Sequence, residues 1–221
     1  ARRRRRVMET LDDSTVVIIP TAPVLHRNRD VEYPFRPDSD FYYLTGFDEP
    51  EAVAVIAPGR SQGEYILFCR ERDPIQEIWT GRCAGLDQAV ARFGADDAFP
   101  IGDLDDILPG IMEGRGRVYY SMGTYPDFDH RVLSWLNSLR RRQYIGGAAG
   151  IVSLDHIIHD MRLYKSAAEL RAMRHAVGAS VSAHKRAMAA CKPGVYEYQL
   201  EADMVHEFAS FGCRTTAYPS I

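Results

Sequence analysis

The chain has 221 residues, 46% of them hydrophobic and 26% charged, the composition of an ordinary soluble globular protein with one large domain or one and a half smaller ones. A formal charge of −3 argues against a dedicated nucleic-acid binder, and no apolar run approaches the ~20 residues of a membrane helix. Cys69, Cys83, Cys191 and Cys213 are scattered, with no Cys-x-x-Cys pair and no signal segment at the start, so reduced thiols and a cytoplasmic location are expected.

Taken in order, Arg2 to Arg6 lead into Val7-Met8-Glu9-Thr10-Leu11, which predicts a short amphipathic helix with its arginines facing water. Thr15 to Pro20 is a β-branched run closed by proline, a buried strand. Six aromatics then fall between Tyr33 and Phe47, framed by Pro34, Pro37 and Gly46. The prolines keep the entry extended. Asp38-Ser39-Asp40 offers oxygens to the free amides of a short helix beginning at Phe41, and Thr45-Gly46 stops it. Such a knot of aromatics reads first as core or subunit interface.

Ala52 to Ala57 and Tyr65 to Phe68 are apolar without alternation and flank a Pro58-Gly59 turn, which predicts two antiparallel neighbours covered on both faces. Arg70 to Pro74 reads as a charged turn, and Trp79 lies beside Gly81 outside any periodic segment, as a loop residue. Leu86, Ala89, Val90 and Phe93 keep helical spacing up to Gly94. A second short helix starts near Asp103 and is expected to break at Pro109-Gly110. Val118 to Ser121 reads as a strand. Pro126-Asp127 opens a helix with an apolar stripe of Phe128, Val132, Leu136 and Leu139, ending on Arg140 to Arg142. Strands alternating with helices in this way indicate an α/β domain.

Gly146-Gly147-Ala148-Ala149-Gly150 is the one compositional break, so residues 1–148 are read as one domain and 149–221 as a linker and the start of another. Ser166 with Glu169 forms a capping box in front of a helix whose Leu170, Met173, Val177, Val181, His184 and Met188 share a face. Lys192-Pro193-Gly194 ends it. Leu200, Met204, Phe208 and Phe211 stripe a further helix, and Cys213 to Ile221 reads as a loop entering a strand. These two helices need a sheet that the chain does not contain.

Chemistry that the chain could run alone is sparse. There is no Gly-x-Ser-x-Gly elbow, no phosphate-cradling Gly-x-x-x-x-Gly-Lys and no Gly-x-Gly-x-x-Gly after a strand. His206-Glu207 lacks the second histidine of a zinc-protease helix. His156 and His159, with Asp155 and Asp160 adjacent, carry a weak metal signal that reads better as polar surface. His184, on an apolar stripe, reads as a satisfied core histidine.

The words Glu32-Tyr-Pro-Phe-Arg36, Asp38-Ser-Asp-Phe-Tyr-Tyr-Leu-Thr-Gly-Phe47 and Glu49-Pro-Glu-Ala-Val53 closely resemble the N-terminal domain of aminopeptidase P, the Xaa-Pro aminopeptidases. The resemblance continues through Glu77 to Arg82, Met161 to Ser166, and Lys192-Pro193-Gly194 with Tyr198 and Glu201. It implies a creatinase-like N-terminal α/β domain with a mixed sheet flanked by helices, followed by the opening helices of an incomplete pita-bread catalytic domain. It also implies a longer parent enzyme that removes the first residue of peptides with proline second.

In that family two divalent ions, usually manganese, share a water or hydroxide and are held by two aspartates, a histidine and two glutamates. The match puts all five positions after Ile221, so no metal ligand and no catalytic residue is assigned here. The resemblance further implies a homo-oligomer, a dimer or a tetramer. Within it Trp79, in the motif Glu77-Ile78-Trp79, would reach the active-site mouth of a neighbouring subunit as a substrate-binding residue. Mild departures, Tyr42-Tyr43 after Asp40-Phe41 and Thr80 where phenylalanine is common, bear on substrate preference. The rival reading is a pseudo-peptidase of the same fold that binds peptides or proteins without metals.

Overall fold

A computed structural model describes residues 1–142 and 150–220. In chain order the elements are α1 (Arg2–Met8), β1 (Thr15–Pro20), α2 (Ser39–Thr45), β2 (Val53–Ile56), β3 (Tyr65–Cys69), α3 (Pro74–Thr80), α4 (Gly85–Ala91) and β4 (Asp97–Pro100). They continue with α5 (Leu104–Met112), β5 (Arg117–Tyr119), α6 (Pro126–Arg142), β6 (Gly150–Val152), α7 (Asp155–Leu163), α8 (Ala167–Ala190) and α9 (Glu197–Ser210).

The six strands form one mixed sheet in the order β4-β3-β2-β1-β5-β6. β2 is antiparallel to both β1 and β3, with Ile18 opposite Val55 and Val55 opposite Ile66. The pairs β3/β4, β1/β5 and β5/β6 are parallel. Every residue of β1, β2 and β3 is buried, as expected where helices cover both faces. Alternate residues serve opposite cores. Val17, Ile19, Ala54, Ile56 and Leu67 meet Val7, Phe41, Leu44, Ala89, Ile158 and Met161 on one face. Val16, Ile18, Val55, Ile66, Phe68 and Val118 meet Leu104, Leu108, Met112, Val132 and Leu136 on the other.

Local chemistry at the helix ends follows the sequence closely. Asp38 caps α2 by accepting from the amides of Asp40 and Phe41 at 2.8 and 2.9 Å, and Gly46 ends it at φ 70°. Phe41 and Phe47 meet edge to face at 6.4 Å, and Phe47 meets Phe93 at 4.9 Å, so two of the six aromatics anchor the core.

Several expectations need correction. Arg4 does not face water: it is 6% exposed, donates to the carbonyls of Leu44, Phe93 and Gly94 at 3.0, 3.2 and 3.2 Å, and lies 3.8 Å over the Tyr65 ring. Carbonyls left over at the ends of neighbouring segments need donors, and a guanidinium supplies several in one plane. Pro109 does not break α5, because that helix is backed by Leu104, Leu108 and Met112 in the core. The strand expected over residues 118–121 covers Arg117–Tyr119. Residues 213–220 contain no strand.

The boundary expected at 148/149 lies outside the described residues. Two compact units divide between Met161 and Arg162, inside the last turn of α7, with β6 and the rest of α7 in the first. Gly150 opens β6, so the small-residue composition that reads as linker runs into a strand.

The second unit is an antiparallel pair of helices. Ser166 and Glu169 form the expected capping box on α8. Arg186 donates to Asp203 at 2.9 and 3.1 Å and to Glu207 at 3.3 Å, and Ser182 donates to Glu207 at 2.6 Å. The pair meets through Ala179 and Ala183, while Met173, Val177, Val181 and Met188 are exposed. His184 is therefore exposed too, its ring bonded to the carbonyl of Ser180 at 2.8 Å, and not a core residue.

Candidate functional site

Trp79 is carried by a helix and not by a loop. Asp73 is its N-cap, accepting from Ile75 and Gln76 at 2.8 and 3.4 Å, Pro74 supplies the first-turn φ, and Gly81 ends it at φ 82°. The sequence signal for this helix is the pair Asp73-Pro74, which a charged turn also uses. No residue of α3 is buried, and Ile75, Ile78 and Trp79 are 72%, 78% and 85% exposed. Three large apolar side chains at helical spacing thus project from one short helix into water.

The opposite face of α3 is tied to the segments that flank it in sequence. Glu77 accepts two bonds from Arg72, both 2.9 Å, and one from the Cys83 amide at 3.3 Å. The Arg72 guanidinium holds the Glu77 carboxyl down at about 2. Behind the helix is a cavity of about 220 Å³ lined by Glu51, Arg70, Asp73, Gln76, Glu77 and Cys83 among others. Arg70 stands between Glu49 and Glu51 at 4.0 and 3.9 Å, and its buried Nε makes no hydrogen bond among the described residues. Burial raises the Glu49 carboxyl and also the Cys83 thiol. The thiol is accordingly a poor nucleophile.

His156 and His159 are not brought together as a ligand pair. His159 instead lies 3.1 Å from Asp40 of α2, and Asp155, one turn before it on α7, accepts a very short bond from Ser121. Potential ligand atoms of Asp40, Asp155 and His159 lie within 4.8 Å of one another. A hydrogen-bonded Asp40–His159 pair between helices, beside a capped helix start, accounts for the arrangement. In the sequence His156 pairs with His159 and Asp155 stands only as a neighbour, while the meeting of Asp155 and His159 with Asp40 depends on the fold.

A mixed sheet between two layers of helices, followed in sequence by a separate helical pair, is an arrangement shared with solved aminopeptidases. An aminopeptidase from Pseudomonas aeruginosa, PepP, superposes with a TM-score of 0.95 at 54% identity, over 98% of this chain and 50% of that one. Zinc-substituted Escherichia coli aminopeptidase P in complex with product gives 0.93 at 38% identity over the same shares.

The chain belongs to the aminopeptidase P family: the model of the aminopeptidase P N-terminal domain matches residues 1–119, and that of metallopeptidase family M24 matches residues 171–221. The Xaa-Pro aminopeptidase of Escherichia coli is 39% identical over all of this chain and 51% of its own length. That of Haemophilus influenzae is 31% identical over 99% of this chain and 49% of its own. The chain spans about half the length of the curated relatives it matches.

Proposed function

We propose that the chain is the N-terminal half of a cytoplasmic, metal-dependent Xaa-Pro aminopeptidase that releases the first residue from peptides with proline in second position. Within it this segment builds a homo-oligomer and limits access to the metal site, and residues 149–221 open the catalytic domain. The observation that carries the reading is the exposed apolar face of α3, a surface costly to leave in water unless something docks on it. Trp79 is the substrate-contacting residue, supplied to a neighbouring subunit's site as a rigid aromatic anchor.

The described residues do not fit the two divalent ions, usually manganese, that the family implies. Their one cluster of potential ligands offers three atoms from Asp40, Asp155 and His159 and is explained by the hydrogen-bonded contact of His159 with Asp40. On this reading the metal chemistry is assigned to the other half of the parent enzyme.

Trp79→Ala in the full-length enzyme tests this. The expected result is a fall of roughly tenfold in kcat/KM on short Xaa-Pro peptides, the loss of one aromatic contact of about 1–1.5 kcal/mol, with the fold unchanged by circular dichroism. Unchanged kcat/KM on both short and long peptides would overturn the assignment. No residue in helical contact with Trp79 is buried, so the variant carries little risk of misfolding.

A further inference from the structure

The sheet order contains a reversal that α3 does not use. From β1 the chain builds outward through β2, β3 and β4, then returns across the sheet to place β5 on the other side of β1. β1 and β5 are parallel, so their carboxyl ends lie side by side where the order switches. In open α/β sheets that crevice is where small ligands bind. Here it opens into a cavity of about 750 Å³, within the usual range for ligand pockets.

Its walls come from the segments that leave the strands at that edge. Pro20 closes β1 and Pro23 and Val24 follow it, Ile101 and Gly102 follow β4, and Thr124 to Phe128 follow β5. Val53 and Phe128 add apolar surface, and charge enters through Glu51, Asp127 and Arg131. Arg131 is neutralised, bonded to Asp105 at 3.1 and 3.2 Å and laid over the Phe128 and Trp135 rings. Asp127 makes no hydrogen bond or ion pair among the described residues. The start of α6 contributes about half a positive charge, which the full charge of Asp127 on the same turn outweighs.

Glu51 is held loosely by Arg70 at 3.9 Å, which Glu49 shares. It is also the one non-glycine residue described with positive φ, at 54°. Glycine would hold that backbone with less strain, so the carboxylate is present despite its conformation.

We propose that this crevice binds a small molecule carrying an ammonium group on an apolar body, with Glu51 and Asp127 receiving the ammonium and the prolines, Val53 and Phe128 enclosing the rest. Three isosteres test it against the ¹⁵N-labelled protein by NMR: phenethylamine, the neutral 2-phenylethanol and the anionic 3-phenylpropionate. The expected result is saturable shifts at Thr124, Asp127 and Phe128 with phenethylamine, and binding at least about tenfold weaker for the other two.

Asp127→Asn should weaken phenethylamine about tenfold. Glu51→Gly, which keeps the left-handed backbone and removes the carboxylate, should do the same while the fold and thermal stability are retained. Equal binding of the three probes, affinity untouched by both substitutions, or shifts located elsewhere would each overturn the proposal.

Discussion

Arg4→Met tests the most unexpected contact of the fold. Methionine keeps an unbranched stem against the Tyr65 ring but removes the donors to Leu44, Phe93 and Gly94, bonds of 3.0, 3.2 and 3.2 Å made by a side chain only 6% exposed. Hydrogen bonds from a charged donor contribute about 1.5–3 kcal/mol each. The variant no longer bears the several kcal/mol needed to strip water from a guanidinium. The difference leaves a net loss of about 2–4 kcal/mol. For a unit of this size each kcal/mol lowers Tm by about 2–4 °C, so the melting point should fall by roughly 5–15 °C. Urea denaturation followed by far-ultraviolet circular dichroism measures the free energy. Arg4→Lys should resemble the methionine variant, because a single ammonium cannot replace the two guanidinium nitrogens that reach Leu44 on one side and Phe93 and Gly94 on the other. A methionine variant within about 0.5 kcal/mol of the parent would refute this account of Arg4.

Burial pushes both the Cys69 thiol and the Tyr65 hydroxyl up to about 12, from ordinary values of 9.0 and 10.0. A raised pKa stabilises the folded state below the ordinary value and loses that contribution as pH climbs toward the raised one, so stability should decline between pH 9 and 12. At pH 8 a thiol reagent should titrate exposed Cys191 quickly and Cys69 only on unfolding. Glu77→Gln unties Arg72 and Cys83 from α3 and should make residues 72–83 the preferred site of limited proteolysis; an unchanged digestion pattern counts against the clamp. Val177→Lys with Val181→Lys, on the exposed stripe of α8, should reduce self-association and hydrophobic-dye binding by the 221-residue chain. A parent chain that is already a clean monomer without dye binding would remove the basis for that expectation.

What was legible in the sequence is what local chemistry decides. Asp38 capping α2, Gly46 ending it, the Ser166-Glu169 box and the antiparallel β2/β3 pair all involve residues a few positions apart or a run with one obvious turn. What was missed depends on partners far away in sequence. An arginine in a basic run carries no mark that three distant carbonyls will need it, and Pro109 is tolerated only because a sheet backs its helix. Trp79 sits in a seven-residue helix whose apolar spacing, Ile75, Ile78 and Trp79, covers barely one turn and does not set it apart from a charged turn. Strand β6 is three residues long and begins with the last glycine of an apparent linker. The crevice between β1 and β5 belongs to strand order, which no window along the chain contains.

That strand order also sets a schedule for synthesis. β1 is made first among the strands and ends at the centre of the sheet, yet the partner on one of its sides, β5, begins only at Arg117. While the chain emerges from the ribosome at roughly 5–20 residues per second, the β1–β2–β3 meander can form and then wait for several seconds with one edge of Thr15–Pro20 unpaired. Five of those six residues are β-branched and uncharged, the kind of edge that recruits other chains. Fragments ending before Tyr119 should therefore precipitate where longer ones stay in solution, and the yield of folded protein will be governed by how fast translation passes that residue.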